Sequence, residues 1–433
     1  MTLSRSPIYN LGAVLKETGL AADTLRAWER RYGIPMPKRT PGGHRLYSER
    51  DILLIKWLKA RQAEGMTISR AVDKWKDLTA TGNDPLEEQH AASTGHDGLS
   101  PIYGHLDALR DDWLSACLRY DEAAAEQLLN QAYAQYSVET VTAGVIERGL
   151  YDIGEMWARG EATVQQEHFL SALTTRRLDA LIAAAPPPTQ TKALLLAGAE
   201  GETHALPLLY LNLLLRRRGH KVVFLGANVP RAQITETAQS VHAAVVVLSA
   251  EQLVTAATLR DCASLLARKR IPVAYGGRVF QYEPDLQKHV AGTYLGNDIT
   301  AAADRLEQLL NEPAPVNRHT PPGPGPEANA FREARAQVEL AVHRQFSKNP
   351  LPSRLLALAD THFSPGLTAA LELGNVRYLE NDMKWIHTVL TGQGLPARAL
   401  RDYLLAYADA IRKVMGSHAA GITGWIRDHA AQL

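Results

Sequence analysis

The chain has 433 residues, 45% hydrophobic and 21% charged, which supplies material for two to four cores and excludes global disorder. Its formal net charge of +1 hides an asymmetry: residues 1–80 carry 15 Lys+Arg against 8 Asp+Glu, and the remainder 32 against 38, so a basic, polyanion-binding head precedes an acidic body. Two cysteines, Cys117 and Cys262, exclude a disulfide framework or a Cys-based zinc site; with no apolar signal core over Met1–Tyr9 and no apolar run of the ~18 residues that span a membrane, they fit a cytoplasmic protein.

Three composition breaks divide the chain. Residues 81–100 are polar and rich in turn formers, Pro186 to Pro188 form a stiff spacer, and 312–326 (EPAPVNRHTPPGPGP) read as an extended linker. The resulting segments are 1–80, 101–185, 190–311 and 327–433.

In the first segment Asn10 predicts the cap of a short helix, Leu11 to Thr18, ended by Gly19. A second helix follows over Ala22 to Tyr32, stopped by Gly33 and Pro35. Leu25 and Trp28, three apart, face its core, which leaves Arg26, Arg30 and Arg31 for phosphates and guanine edges. A Gly-Gly turn flanked by Lys38, Arg39, His44 and Arg45 then reads as a basic wing, with helices 48–63 and 67–77 behind it. The stretch WERRYGIPMPKRTPGGHRLYSERD resembles the winged helix-turn-helix head of MerR-type transcriptional regulators, and the likeness covers residues 7–76. The resemblance implies dimeric binding to pseudo-palindromic promoter DNA. It places DNA contacts on Thr24, Arg26, Arg30, Arg31 and Tyr32 in the recognition helix, and on Arg39, His44, Arg45 and Tyr47 in the wing. Ala21 stands where a Ser or Thr cap is expected, and Asp23 compensates in part through the helix dipole.

The helical segment 101–185 contains Trp157, nine residues, then Glu167-His168. A helix ending near Gly160 and another starting near Thr163 predict these groups at one end of a bundle. Residues 190–311 alternate apolar strands (KALLLAG, KVVFLG, AVVVLSA, IPVAYGG) with helices such as 203–218 and 252–269, which predicts a doubly wound parallel sheet. Ligands on such sheets bind beyond the carboxyl ends of the strands. There lie Glu202 and His204 after the first strand, Ser249 after the third, and Gly276 and Gly277 after the fourth. A His in that place can present one ring nitrogen to a metal while a carboxylate holds the other.

This arrangement resembles the cobalamin-binding domain with a D/E-x-H…S…GG signature. It implies that His204 is the lower cobalt ligand and that Ser249, Gly276 and Gly277 line the nucleotide tail. Pro207 stands where that family has Gly. Upstream, W-x9-EH resembles the cap of light-sensing cobalamin regulators of the CarH type, in which a four-helix bundle covers the upper cobalt face. That resemblance implies that Trp157, Val164, Glu167 and His168 enclose the 5′-deoxyadenosyl group. Ala158 replaces the His that forms the bis-His light product in that family.

Residues 327–433 have helical periodicity in 367–390 and 396–415. His343, His362, His387, His418 and His429 form no tight metal spacing. The reading is an oligomerisation or partner-binding bundle; the alternative, from a looser resemblance to photocobilins, is a non-covalent bilin pocket. The expected fold is thus multidomain α plus α/β: winged head, four-helix bundle, doubly wound cobalamin domain and C-terminal helical domain. The expected function is a non-enzymatic regulator that binds promoter DNA as a dimer or tetramer, gated by adenosylcobalamin and light. Alternatives are a light-independent B12-level sensor and a cobalamin-dependent mutase or methyltransferase module. The last lacks a substrate barrel, since the remaining helical segment, 327–433, has only 107 residues.

Overall fold

The structure is a computed structural model, described for residues 7–39, 43–80, 84–86, 101–312, 325–346, 352–392, 394 and 396–433. It forms two compact units, Met1–Ile153 with Gln165–Thr174, and Gly154–Val164 with Thr175–Leu433.

In the first unit, α1 (Leu11–Thr18) begins where Asn10 accepts a hydrogen bond from Ala13 N at 2.9 Å, and ends at Gly19 in the left-handed region. Helix α2 (Ala22–Tyr32) has no side-chain cap at Ala21 and ends at left-handed Gly33; it buries Leu25 and Trp28. Strands β1 (Tyr9–Asn10), β2 (Lys38–Arg39) and β3 (Arg45–Tyr47) form an antiparallel sheet in the order β1-β3-β2, the predicted wing. A Ser48–Asp51 capping box opens α3 (Glu49–Ala63), and α4 (Ile68–Ala80) packs beside it.

The bundle segment holds α5 (Pro101–Leu118), α6 (Glu122–Gln135), α7 (Val138–Val141), a π-turn at Thr142–Glu147, α8 (Arg148–Ala158) and α9 (Val164–Ala183). Trp113 is fully buried because Gly149 makes room: a Cβ there would lie 2.6 Å from the indole. The head touches this bundle. Tyr9 pairs with Tyr136, their rings 5.5 Å apart, and Asn10 Nδ2 donates to the carbonyls of Ala134 and Tyr136.

The second unit contains a parallel sheet ordered β5-β4-β6-β7-β8: β4 (Ala193–Gly198), β5 (Lys221–Phe224), β6 (Ala243–Ser249), β7 (Val273–Gly276) and β8 (Thr293–Tyr294). Between the strands run α10 (Leu206–Arg217), α11 (Ile234–Ser240), α12 (Leu253–Arg268) and α13 (Val279–Tyr282), and α14 (Ile299–Asn311) follows. The two-residue β8 carries too short an apolar run to be read from sequence. The order reverses between β4 and β6, so the crevice for a ligand opens at their carboxyl ends.

The C-terminal helices are α15 (Pro326–Gln345), α16 (Ser353–Leu358), α17 (Ser364–Glu372), α18 (Glu380–Gly392), α19 (Ala397–Met415) and α20 (Ala420–Ala430). The periodic stretch 367–390 is two helices, because the chain turns at left-handed Gly374. These helices share one continuous core with one face of the sheet: Leu195, Val246 and Leu248 belong to the same apolar cluster as Phe363, Met383 and Tyr407. Arg260 on α12 is buried and donates to the carbonyl of Glu372 at 2.6 Å, closing the end of α17.

Candidate functional site

On the head, Thr24, Arg26, Arg30 and Arg31 are exposed on α2 and Tyr32 is half-buried. Arg39 and His44 are exposed on the wing, and Arg39 Nη1 reaches the Gly43 carbonyl at 3.1 Å. Two expected contacts turn inward. Tyr47 is fully buried and its hydroxyl donates to Glu29 Oε1 at 2.5 Å, while Arg45 Nε donates to Glu29 Oε2 at 2.9 Å. Tyr47 therefore sits behind the surface rather than on it. Arg45 and Tyr47 tie the wing to the recognition helix through Glu29, whose carboxylate was not singled out in the sequence.

In the second unit, the loop after β4 carries Glu202 and His204. Glu202 is fully buried, yet its carboxylate accepts four hydrogen bonds. Oε1 takes His204 N (2.9 Å) and His204 Nδ1 (2.6 Å); Oε2 takes Glu251 N (2.6 Å) and Thr255 Oγ1 (2.7 Å). Burial pushes its pKa up, but the four donors outweigh burial and hold it below the ordinary carboxylate value. The same bond raises the His204 pKa, against burial. With Nδ1–H on Glu202, Nε2 is the nitrogen left for a ligand, and the His204 side chain is 46% exposed. Thr255, in the first turn of α12, and Glu251 complete the arrangement; a lone Thr or Glu carries no sequence signal for such a role. Pro207 falls in the first turn of α10, where its missing N–H has no helical partner to lose.

Beside this loop, the sheet register places Gly198, Ser249 and Gly276 in one row across β4, β6 and β7. Ser249 Oγ is buried with no hydrogen-bond partner among the described residues. A Cβ on Gly276 would meet nothing within 4 Å, whereas one on Gly277 would lie 1.8 Å from the Ala250 carbonyl oxygen. A Cβ on Gly198 would lie 3.0 Å from Ala227 Cα, so the slot beside the unpartnered hydroxyl opens on the Gly276 side, where a polar group could pair with it. With an orientable imidazole beside it, the residue set fits a cobalamin: His204 would hold the metal, and Ser249 and Gly276 would receive the polar tail.

Trp157 closes α8 and Val164, 41% exposed, opens α9; both lie in the second unit. The Trp157 ring packs on Trp385 of α18, 5.8 Å between centroids. Glu167 and His168 lie in the first unit, on the first turns of α9. Glu167 Oε2 holds His168 Nδ1 at 2.7 Å and Oε1 accepts from Ser171 at 2.6 Å, the same tautomer-fixing geometry as at His204. Among the C-terminal histidines, His343 pairs with Asp360, His362 packs on Trp385 and His429 stacks on Trp425. The side chain of His418 is outside the described residues. Cys117 and Cys262 are free and buried, and burial pushes their thiols up to about 12 and about 11, so both are inert at neutral pH. Among the described residues no helix is long and apolar enough to cross a membrane.

The profile of the MerR HTH family regulatory protein matches residues 9–76, and profiles described as B12 binding domain match 109–182 and 192–303. The HTH-type transcriptional repressor CarH of Myxococcus xanthus is 30% identical over 62% of this chain and 88% of its own. The repressor CarA of the same organism is 30% identical over 69% of this chain and 95% of its own. The regulator MlrA of Escherichia coli strain K12 is 41% identical over 14% of this chain and 26% of its own, within the length of a single domain.

Proposed function

This chain belongs to the family of the HTH-type transcriptional repressors CarH and CarA, and on that premise we propose that it represses promoters as a dimer or tetramer, gated by adenosylcobalamin and light. The observation that carries the reading is the His204–Glu202–Thr255 chain beside the Ser249 slot, in a chain that also holds a winged basic head. When bound, adenosylcobalamin supplies a cobalt–carbon bond that green light breaks.

The remaining work falls to the chain's own residues. His204 would hold the cobalt through Nε2, with Glu202 keeping the proton on Nδ1. Ser249, Gly276 and Gly277 would bind the tail. Trp157, Val164, Glu167 and His168 would contact the adenosyl group, and a ligand shifts an equilibrium only through such differential contacts. The Tyr9–Tyr136 contact gives the bundle a route to the head. Arg26, Arg30, Arg31, Thr24, Tyr32, Arg39 and His44 face DNA.

The test is an absorption spectrum of the purified chain with adenosylcobalamin, before and after green light, paired with a mobility shift on its promoter. Spectral conversion together with a drop in DNA affinity is expected. A second reading, a light-independent B12-level sensor, is favoured by Ala158, which is buried and cannot ligate cobalt. It gains if illumination leaves DNA affinity unchanged. For residues 327–433 an oligomerisation bundle stands ahead of a bilin pocket, and a long-wavelength bilin band in the same spectrum would reverse that order.

A further inference from the structure

We propose that the C-terminal helices position Trp157, through Trp385 and Gly392, and thereby help set which upper ligand the cap accepts. This rests on the reading that Trp157 faces that ligand. Trp157 lies at the end of α8, before a turn through left-handed Gly160. Two contacts hold the turn from outside. The indoles of Trp157 and Trp385 are 5.8 Å apart and tilted by 39°, and Trp385 also packs edge to face with His362, 4.9 Å between centroids.

Two glycines meet next to this stack. A Cβ on Gly160 would fall 2.3 Å from the Gly392 carbonyl oxygen. A Cβ on Gly392 would fall 2.6 Å from the Ala158 carbonyl oxygen and 2.7 Å from the Arg159 carbonyl carbon. The contact is backbone on backbone, and neither partner can accept a side chain without moving. Trp385 and Gly392 are seven residues apart on α18, two turns, so one face of that helix presents both to the Trp157 turn. Ordinary core packing asks for one matched surface; here an aromatic pair and a reciprocal glycine contact fix the same short turn. Trp385 is therefore a positioning residue for Trp157.

The test titrates the full-length chain with adenosylcobalamin, methylcobalamin and hydroxocobalamin by visible absorbance. Hydroxocobalamin reports the lower ligand and the fold. Trp157→Ala should abolish the preference for adenosylcobalamin. Trp385→Ala should reduce it about threefold to tenfold, the value of one lost aromatic contact, with hydroxocobalamin affinity unchanged. Trp385→Phe should restore most of the preference, and Gly392→Ala should reduce it like Trp385→Ala. If Trp157→Ala alters the preference while Trp385→Ala and Gly392→Ala leave it at the wild-type value, the proposal is overturned and the cap reading survives. If Trp157→Ala itself changes nothing, the cap reading falls and takes this inference with it. Should Trp385→Ala also lose hydroxocobalamin, Gly392→Ala decides on the same readout.

Discussion

Replacing Glu202 with Gln removes one charge and one acceptor at the centre of the candidate site. Four donors converge on this carboxylate, two per oxygen. A Gln that keeps its carbonyl toward His204 turns its NH2 toward Glu251 N–H and the Thr255 hydroxyl. The hydroxyl can rotate and accept; the backbone N–H cannot, and an orphaned buried donor costs about 1–3 kcal/mol. The bonds that remain lose their charge assistance, roughly half their strength. Together the apoprotein should lose about 2–4 kcal/mol, read by urea unfolding. Loss of the carboxylate behind a metal-ligating His typically lowers metal affinity by about 10–100-fold, so hydroxocobalamin should bind correspondingly weaker.

The pH dependence moves too. Glu202 raises the His204 pKa, and ligation requires a deprotonated Nε2. In the wild type, ligation is therefore lost as pH falls through that raised value; in Glu202→Gln the loss should shift to lower pH. Unchanged stability, affinity and pH profile together would refute the assignment of Glu202 as the group that orients His204.

Other expectations are as direct. His204→Ala should leave cobalamin weakly bound, without a His-ligated spectrum; an unchanged spectrum contradicts the assignment. Arg30→Ala should weaken specific DNA binding by about 1–3 kcal/mol in a mobility-shift titration if Arg30 reads a base edge, and equal affinity removes it from the interface. Burial, with Glu283 adding and Arg278 opposing, raises Asp382 to about 6. A carboxyl raised on folding stabilises the protonated fold, so its contribution falls as pH climbs from about 4 to about 6. Asp382→Asn should therefore raise Tm at pH 7, by up to about 3 kcal/mol of stability, and hardly change it at pH 4. Tyr136→Ala should leave cobalamin affinity intact but make DNA affinity less responsive to the cofactor; full responsiveness would exclude the Tyr9–Tyr136 contact as a route.

The first two helices of the head were legible to the residue because their signals are local. Asn10, Gly19 and Gly33 set helix ends through their own side chains or their absence. The strands bearing Ser249 and the Gly-Gly pair were legible for the same reason. What escaped depends on partners distant in sequence. Nothing near Tyr47 says that Glu29 will claim its hydroxyl, so a family contact pattern placed it on the DNA face. Thr255 acquires its role across 53 positions from Glu202. The proline-rich stretch 312–326 marks a boundary in composition, while the packing on either side of it is continuous, because burial ignores chain order.

Helix α12 serves two masters. Its first turn anchors Glu202 through Thr255, and one turn and a half later Arg260 grips the carbonyl end of α17. A shorter descendant ending ahead of residue 312 would strip Arg260 of the Glu372 carbonyl, leaving it only Asp261, and would open the apolar core that α12 shares with those helices to water. Such a deletion is survivable only if that face of α12 is rewritten at the same time. The C-terminal helices thus share a core with α12 and do not hang from it as a separable cassette, so substitutions on the two sides of that core should be energetically coupled.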